Sequence, residues 1–175
     1  MNIYLFPTEL EAKPFRALCP EATVVVSGVG MAATAAAIAR LERERGLSAD
    51  DMVVLAGVAG AYSDKLSVGQ VVEVRSEECI ELPARFRVRY EQYTPYTTLH
   101  RVASNTVHGV VTEPTTADIE NMEGATLFAM AEAMGFRATE VRAISNRVGE
   151  SFDKWHLDEA VEALAEELKR IEYAE

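Results

Sequence analysis

Little in this chain points to covalent cross-links, metal or a membrane. Its 175 residues include 2 cysteines. Cys19 and Cys79 stand far apart, with no CxxC or Cys/His spacing, so a disulfide framework is excluded and two free thiols in a reducing compartment are expected. The three histidines, His100, His108 and His156, lack zinc-ligand spacing, and neither a metal nor another cofactor is expected. No apolar run approaches the roughly 20 residues that cross a bilayer. The segment MNIYLFPTELEAKPF has no basic region followed by a long apolar stretch, so it is not read as a secretory leader, and a cytoplasmic location is expected. Basic residues are also scarce: 17 Lys+Arg stand against 28 Asp+Glu, for a net charge of −11. With no Lys/Arg run, a nucleic-acid backbone is an unsuitable partner, and the acidic surface serves solubility.

What is present reads as one α/β domain spanning residues 1–175. Hydrophobic residues make up 49% and charged residues 26%, an ordinary globular balance. Asn2 to Phe6, Thr23 to Val26, Met52 to Ala56, Val68 to Val74 and Ala138 to Ile144 are short apolar runs that read as buried strands. Phe86 to Tyr93 and Leu99 to Val102 read as shorter ones, with Arg85, Arg87 and Arg89 on a solvated face. Thr8 is a candidate helix N-cap, with Glu11 at capping-box spacing. The Ala-rich Met31 to Arg45, Gly124 to Met134 and the amphipathic stretch from Leu157 to Tyr173 read as helices. Gly46 and Gly135 stop the first two. Alternating strands and helices predict a three-layer α/β/α sandwich with a mixed central sheet.

Two strands run into glycine-rich segments, Gly28-Val29-Gly30 and Gly57-Val58-Ala59-Gly60, both read as turns. In an open α/β sheet, ligands collect beyond the carboxyl ends of strands. These turns and Glu11 could therefore line one crevice, although tight-turn geometry alone explains the glycines equally well. Position 33 is alanine, so no dinucleotide fingerprint is complete, and there is no Walker lysine. Glu123 stands at a helix start, where a carboxylate either complements the helix dipole or accepts hydrogen bonds from a sugar hydroxyl. Arg142 falls within a buried strand and must be paired, with Glu123 or Glu11 as obvious partners. Asn146, just past that strand, can both donate and accept hydrogen bonds, or simply serve a turn.

The order of these residues carries more than any one of them. Asp118-Ile119-Glu120-Asn121-Met122-Glu123-Gly124-Ala125 followed by Val141-Arg142-Ala143-Ile144-Ser145-Asn146 resembles the purine nucleoside phosphorylase/nucleosidase superfamily, and within it the futalosine hydrolases of menaquinone biosynthesis. Thr8-Glu9-Leu10-Glu11, Gly28 to Thr34, Gly57 to Gly60, Asn105 to Gly109 and Ser145 to Val148 with Trp155 agree with that likeness. The resemblance implies a nucleoside phosphorylase-like fold and roles for particular residues. Glu11 would activate a water. Glu123 would hold the ribose 2′-hydroxyl, with Met122 against the sugar. Arg142 would fix the water between the two acids. Gly28, Val58, Ala59, Gly60 and Asn121 would contribute to the substrate site, and Asn146 would meet the purine at ring nitrogen 7. Relatives form homodimers, so a homodimer is expected. Phe86, Tyr90, Tyr93 and Tyr96 are candidates to stack on the base, in a middle region shortened between about Glu77 and Ala117.

Chemistry orders the alternatives. An asparagine amide at position 146 suits a 6-oxopurine such as the hypoxanthine of futalosine, whereas a carboxylic acid there would suit adenine. Val58 stands where adenine-specific nucleosidases carry serine. A phosphorylase needs cations around phosphate, and Ser27 to Ile38 and Leu55 to Ser63 contain none. The sequence thus favours a 6-oxopurine nucleoside hydrolase of the futalosine type. Methylthioadenosine/adenosylhomocysteine nucleosidase, nucleoside phosphorylase and a non-catalytic nucleoside-binding protein are the alternatives.

Overall fold

The computed structural model describes residues 1–109 and 115–174. Among these, strands β1 (Asn2–Phe6), β2 (Thr23–Val26), β3 (Met52–Ala61), β4 (Val71–Cys79), β5 (Arg89–Glu91), β6 (His100–Thr106), β7 (Ile119–Asn121) and β8 (Arg137–Arg147) form one mixed sheet. Helices α1 (Glu9–Leu18), α2 (Met31–Arg45), α3 (Gly124–Met134) and α4 (Leu157–Glu172) cover it. β2, β1, β3 and β8 run parallel to one another. β8 also pairs antiparallel with β4, β4 parallel with β6, β6 parallel with β7, and β7 antiparallel with the far end of β3. These pairings close a ring of five strands at the centre of the sheet.

Period-two alternation sets the layers. From β1 and β3, Ile3, Leu5, Val53 and Leu55 pack toward Ile38 and Leu41 of α2 and Leu127 and Phe128 of α3. Their neighbours Tyr4, Phe6, Val54 and Ala56 pack toward Ala12 and Phe15 of α1 and Leu164 and Leu168 of α4. Two apolar cores, one on each sheet face, give the expected sandwich. Every one of these side chains is buried, and each contributes about 1.5–3 kcal/mol of transfer free energy when large and aliphatic or aromatic.

Two expectations about strand ends are corrected. Gly57-Val58-Ala59-Gly60 is not a turn: β3 continues through it to Ala61, paired along its length with β8 and shifted in register between Ala59 and Gly60. Ser145 and Asn146 likewise lie inside β8 rather than beyond it. Local glycine content suggested a break, but the β8 ladder satisfies the backbone there and holds the strand. In the middle region, Val71–Cys79 is strand where Val68 to Val74 was expected, and only Arg89–Glu91 of Phe86 to Tyr93 is strand. Ala84–Phe86 forms a single 3-10 turn instead.

Candidate active site

The first carboxylate is placed by a helix start. Thr8 caps α1 and accepts from the Glu11 backbone N–H at 3.3 Å. The reciprocal half of a capping box does not form. The Glu11 carboxylate turns away and accepts from the Thr8 hydroxyl at 2.5 Å and from the Val58 N–H on β3 at 3.0 Å. Glu11 is only 6% exposed. Burial pushes its pKa above the ordinary range, while the Thr8 and Val58 bonds and the Arg142 charge pull back.

The second carboxylate belongs to Glu123, the residue before the first turn of α3. It does not cap its own helix. Asn121 does so, its Oδ1 accepting from the N–H groups of Glu123 and Gly124, both at 2.8 Å, and Thr106 accepts from the Ala125 N–H at 2.8 Å. Glu123 is thereby free to reach across the site. One of its oxygens accepts from the Gly30 N–H at the start of α2, at 2.9 Å, where the helix dipole favours a negative charge. The other accepts from Arg142 Nη2 at 3.1 Å.

Arg142 is 1% exposed, and each of its three nitrogens donates a hydrogen bond. Its Nε donates to Glu140 at 2.8 Å, Nη2 also donates to Asn121 Oδ1 at 3.0 Å, and Nη1 points to the Val58 carbonyl at 3.4 Å. Burial alone would lower its pKa, but the Glu140 and Glu123 charges outweigh that and raise it, so it is a permanent cation. The expected partner Glu123 is confirmed, and Glu140, two residues away on the same strand face, is the partner the sequence reading missed. Glu11 makes no ion pair with Arg142 but lies beside it. A side chain on Gly57 would place its Cβ 2.6 Å from Arg142 Nη1 and 2.9 Å from Glu11 Oε1. The glycine inside β3 is there because these two groups meet over its backbone.

Glu11, Glu123 and Arg142 line one cavity of about 440 Å³ with Val58, Ala59, Gly60, Asn121, Met122 and Asn146, a size suited to a small-molecule ligand. Asn146 holds one end. Its Oδ1 accepts from the Ser145 hydroxyl at 2.8 Å, and its amide nitrogen donates to the Arg147 carbonyl at 2.9 Å, leaving a second N–H. Asn121 borders the cavity, but its amide is consumed by capping α3, by Arg142, by Glu77 and by Ser104, so it is a scaffold rather than a ligand contact. Gly28 does not line the cavity; Val29 does. Gly28 is glycine for its turn, with φ at +90° and the Ala33 Cβ 3.0 Å from where its own Cβ would stand.

The base-stacking candidates are also corrected. Tyr90, Tyr93 and Tyr96 border a different groove, with Phe128 and Arg137, and Phe86 is 58% exposed on the 3-10 turn. Among the described residues, the aromatics at the cavity are Phe152 and Trp155, with ring centroids 5.1 Å apart. Their signal was the position of Trp155 shortly after Asn146. Leu10, Val29 and Phe152 leave an exposed apolar rim, each at least 49% accessible.

A strand-end cavity with two buried carboxylates, one paired with a buried arginine and the other beside it, in a three-layer α/β/α fold with a mixed sheet, defines the class of nucleoside phosphorylase-like proteins. The phosphorylase superfamily model matches residues 81–171, and the chain belongs to that superfamily. No curated protein matches it by sequence. Among solved structures it is similar to a mutant of Helicobacter pylori methylthioadenosine nucleosidase with 5′-methylthioadenosine in the active site. That match has 15% identity and TM-score 0.82, over 97% of this chain and 96% of the other. A futalosine hydrolase mutant from the same organism matches at 16% identity and TM-score 0.80, over 97% of both chains. The 5′-methylthioadenosine/S-adenosylhomocysteine nucleosidase of Neisseria meningitidis, in complex with methylthio-immucillin-A, matches at 15% identity and TM-score 0.82, over 99% of both. Among the described residues no helix is long and apolar enough to cross a membrane.

Proposed function

We propose that this protein uses water to cleave the N-glycosidic bond of a purine nucleoside, and that its substrate is a 6-oxopurine nucleoside of the futalosine type, with hypoxanthine released in menaquinone biosynthesis. The observation that carries this reading is the convergence of Glu11, Glu123 and Arg142 on one cavity. In this reading Glu11, with its raised pKa and fixed orientation, takes a proton from water as the water attacks the anomeric carbon. Glu123, anchored by Gly30 and Arg142, accepts from the ribose 2′-hydroxyl and stabilises the developing oxocarbenium charge. Met122 and the β3 segment Val58 to Gly60 border the sugar. The free N–H of Asn146 donates to the departing base at ring nitrogen 7 or the 6-oxygen.

Two features favour water over phosphate. Arg142 is the one cation bordering the cavity among the described residues, and its Nε and Nη2 donors are already committed to Glu140, Glu123 and Asn121. Glu11 would repel a phosphate dianion. The similarity to both futalosine hydrolase and methylthioadenosine nucleosidase keeps a 6-aminopurine nucleoside as the second reading, and Asn146 favours the first. The exposed apolar rim of Leu10, Val29 and Phe152 supports a homodimer that covers the cavity mouth, and the free cysteines support a cytoplasmic location. The test is to incubate the protein with futalosine, inosine and methylthioadenosine, with and without phosphate, and follow free base. Phosphate-independent release from futalosine is expected. Phosphate-dependent release would make it a phosphorylase, and tight binding without turnover a nucleoside-binding protein.

A further inference from the structure

Behind Arg142 lies a second pair of acids that the proposed chemistry does not use. Glu77 on β4 and Glu140 on β8 are both fully buried, at 0% exposure. They meet beneath the start of α3, against Gly124. A Cβ on Gly124 would fall 2.6 Å from Glu77 Oε2 and closer still to Glu140 Oε2. The position is glycine because two carboxyl groups occupy the space a side chain would need.

The donors around the pair can be counted. Glu140 Oε1 accepts from Arg142 Nε at 2.8 Å. Glu77 Oε1 accepts from the Thr106 hydroxyl at 2.8 Å, Glu77 Oε2 from the Asn121 amide at 3.0 Å, and the Ser104 hydroxyl also bonds the Glu77 carboxyl. Glu140 Oε2 is buried with no donor among the described residues other than what Glu77 itself can supply. Two ionised carboxylates pressed together without water would leave that oxygen unsatisfied and repel each other. One proton between them removes both costs. Burial, reinforced by the Glu140 charge, pushes the Glu77 pKa well up, which places the proton on Glu77. Among the described residues, the other charged or titratable groups around the pair are Arg142, Glu123 and Glu11 across the site, and Tyr62 and Cys79 on the Glu77 side.

We infer that Glu77 and Glu140 share one proton, as a neutral acid donating to a carboxylate, and act as positioning residues that hold the Arg142 guanidinium in the cavity. Glu77, Asn121, Arg142 and Glu140 form a closed cycle: Asn121 donates to Glu77 and accepts from Arg142, Arg142 donates to Glu140, and Glu77 donates to Glu140. The shared proton keeps the pair at a single negative charge, matched to the single guanidinium. The positioning half of this inference rests on the proposed nucleosidase reading; the proton-sharing half does not.

A charge count separates this from a merely structural acid pair. In Glu77→Gln, Glu140 remains ionised and the amide donates in place of the acid, with loss of the bond from Asn121, because an amide nitrogen cannot accept. In Glu140→Gln, Glu77 ionises and accepts from the new amide. Each single variant keeps one negative charge, and the double variant has none. Infrared spectra at pH 7 should show the C=O band of a neutral carboxylic acid in the wild type. The band should survive in Glu11→Gln and vanish in both Glu77→Gln and Glu140→Gln. Its absence from the wild type, or its persistence in Glu77→Gln, overturns the shared proton whether or not any nucleoside is turned over. With futalosine or inosine as probe, each single variant should lose less than about tenfold in kcat, and the double variant about a hundredfold, with KM changed less than kcat. A double variant no worse than the singles overturns the positioning role. A wild type inactive on every nucleoside instead refutes the functional reading and leaves the spectroscopic result to decide the pair.

Discussion

Gly57→Ala drives a methyl group between the Glu11 carboxylate and the Arg142 guanidinium. The new Cβ would stand 2.6 Å from Arg142 Nη1 and 2.9 Å from Glu11 Oε1, against 3.4 Å for ordinary contact. Relief therefore needs a retreat of about 0.8 Å by the arginine and about 0.5 Å by the acid. Neither can move freely, since Arg142 is held by Glu140, Asn121 and Glu123, and Glu11 by Thr8 and Val58. Overpacking of this kind costs about 1–3 kcal/mol of stability, and a displacement near 1 Å at a reacting group costs on the order of a hundredfold in rate. The variant should fold with a lowered Tm and lose about 10–100-fold in kcat, measured as base release per folded molecule. Gly46→Ala is the control. It strains a positive-φ position at the end of α2, where a Cβ meets nothing within 4 Å. It should lose about 1–3 kcal/mol of stability and no activity per folded molecule. Wild-type kcat in Gly57→Ala would refute the claim that Glu11 and Arg142 act from the positions described.

Other expectations follow from the same geometry. Glu11→Gln should abolish hydrolysis with nucleoside binding largely kept. Because Glu11 must be ionised to act as a base and its pKa is raised, the acid limb of kcat/KM should lie above the ordinary value of 4.5; a limb at or below it would contradict the assignment. Asn146→Asp should raise the ratio of kcat/KM for methylthioadenosine over inosine at least about tenfold, a difference of about 1.4 kcal/mol, and an unchanged ratio would remove residue 146 from base selection. Phe152→Ala should raise KM by about tenfold, from a stacking contribution of about 1–3 kcal/mol, with little loss of Tm because the ring is 68% exposed. Glu77 is raised well above its unfolded value, so the folded state keeps a proton that the unfolded state releases. Its stabilisation is complete below the unfolded pKa and is lost as pH rises toward the folded one, at about 1.4 kcal/mol per pH unit. Between pH 5 and 8, Glu77→Gln should flatten that decline; identical slopes in calorimetry would count against a protonated Glu77.

Helices and the first two strands were legible because their signals are local. Gly124 to Met134 matches α3 residue for residue, and Asn2 to Phe6 matches β1. Glu11, Glu123 and Arg142 were legible as a set through their order in the chain, and the fold brings all three to one cavity. What escaped depends on tertiary pairing. Gly57 and Gly60 look like a turn until β8 is laid beside them, where they make room for Arg142, Glu11 and Asn146. Nothing near Glu77 or Glu140 in sequence announces that they share a space under Gly124. The tyrosines at 90, 93 and 96 outnumber the aromatics at 152 and 155, yet the latter reach the cavity because they follow β8 directly, whereas the tyrosines line a groove at the starting ends of β3 and β8.

The central claim is that water, activated by Glu11, is the nucleophile at the anomeric carbon. Turnover of futalosine in ¹⁸O-labelled water without phosphate tests it most directly. The account predicts one labelled oxygen on the released sugar, none on the hypoxanthine, and no product from Glu11→Gln. Unlabelled sugar phosphate appearing only when phosphate is added, or label incorporated at the wild-type rate by Glu11→Gln, would contradict it.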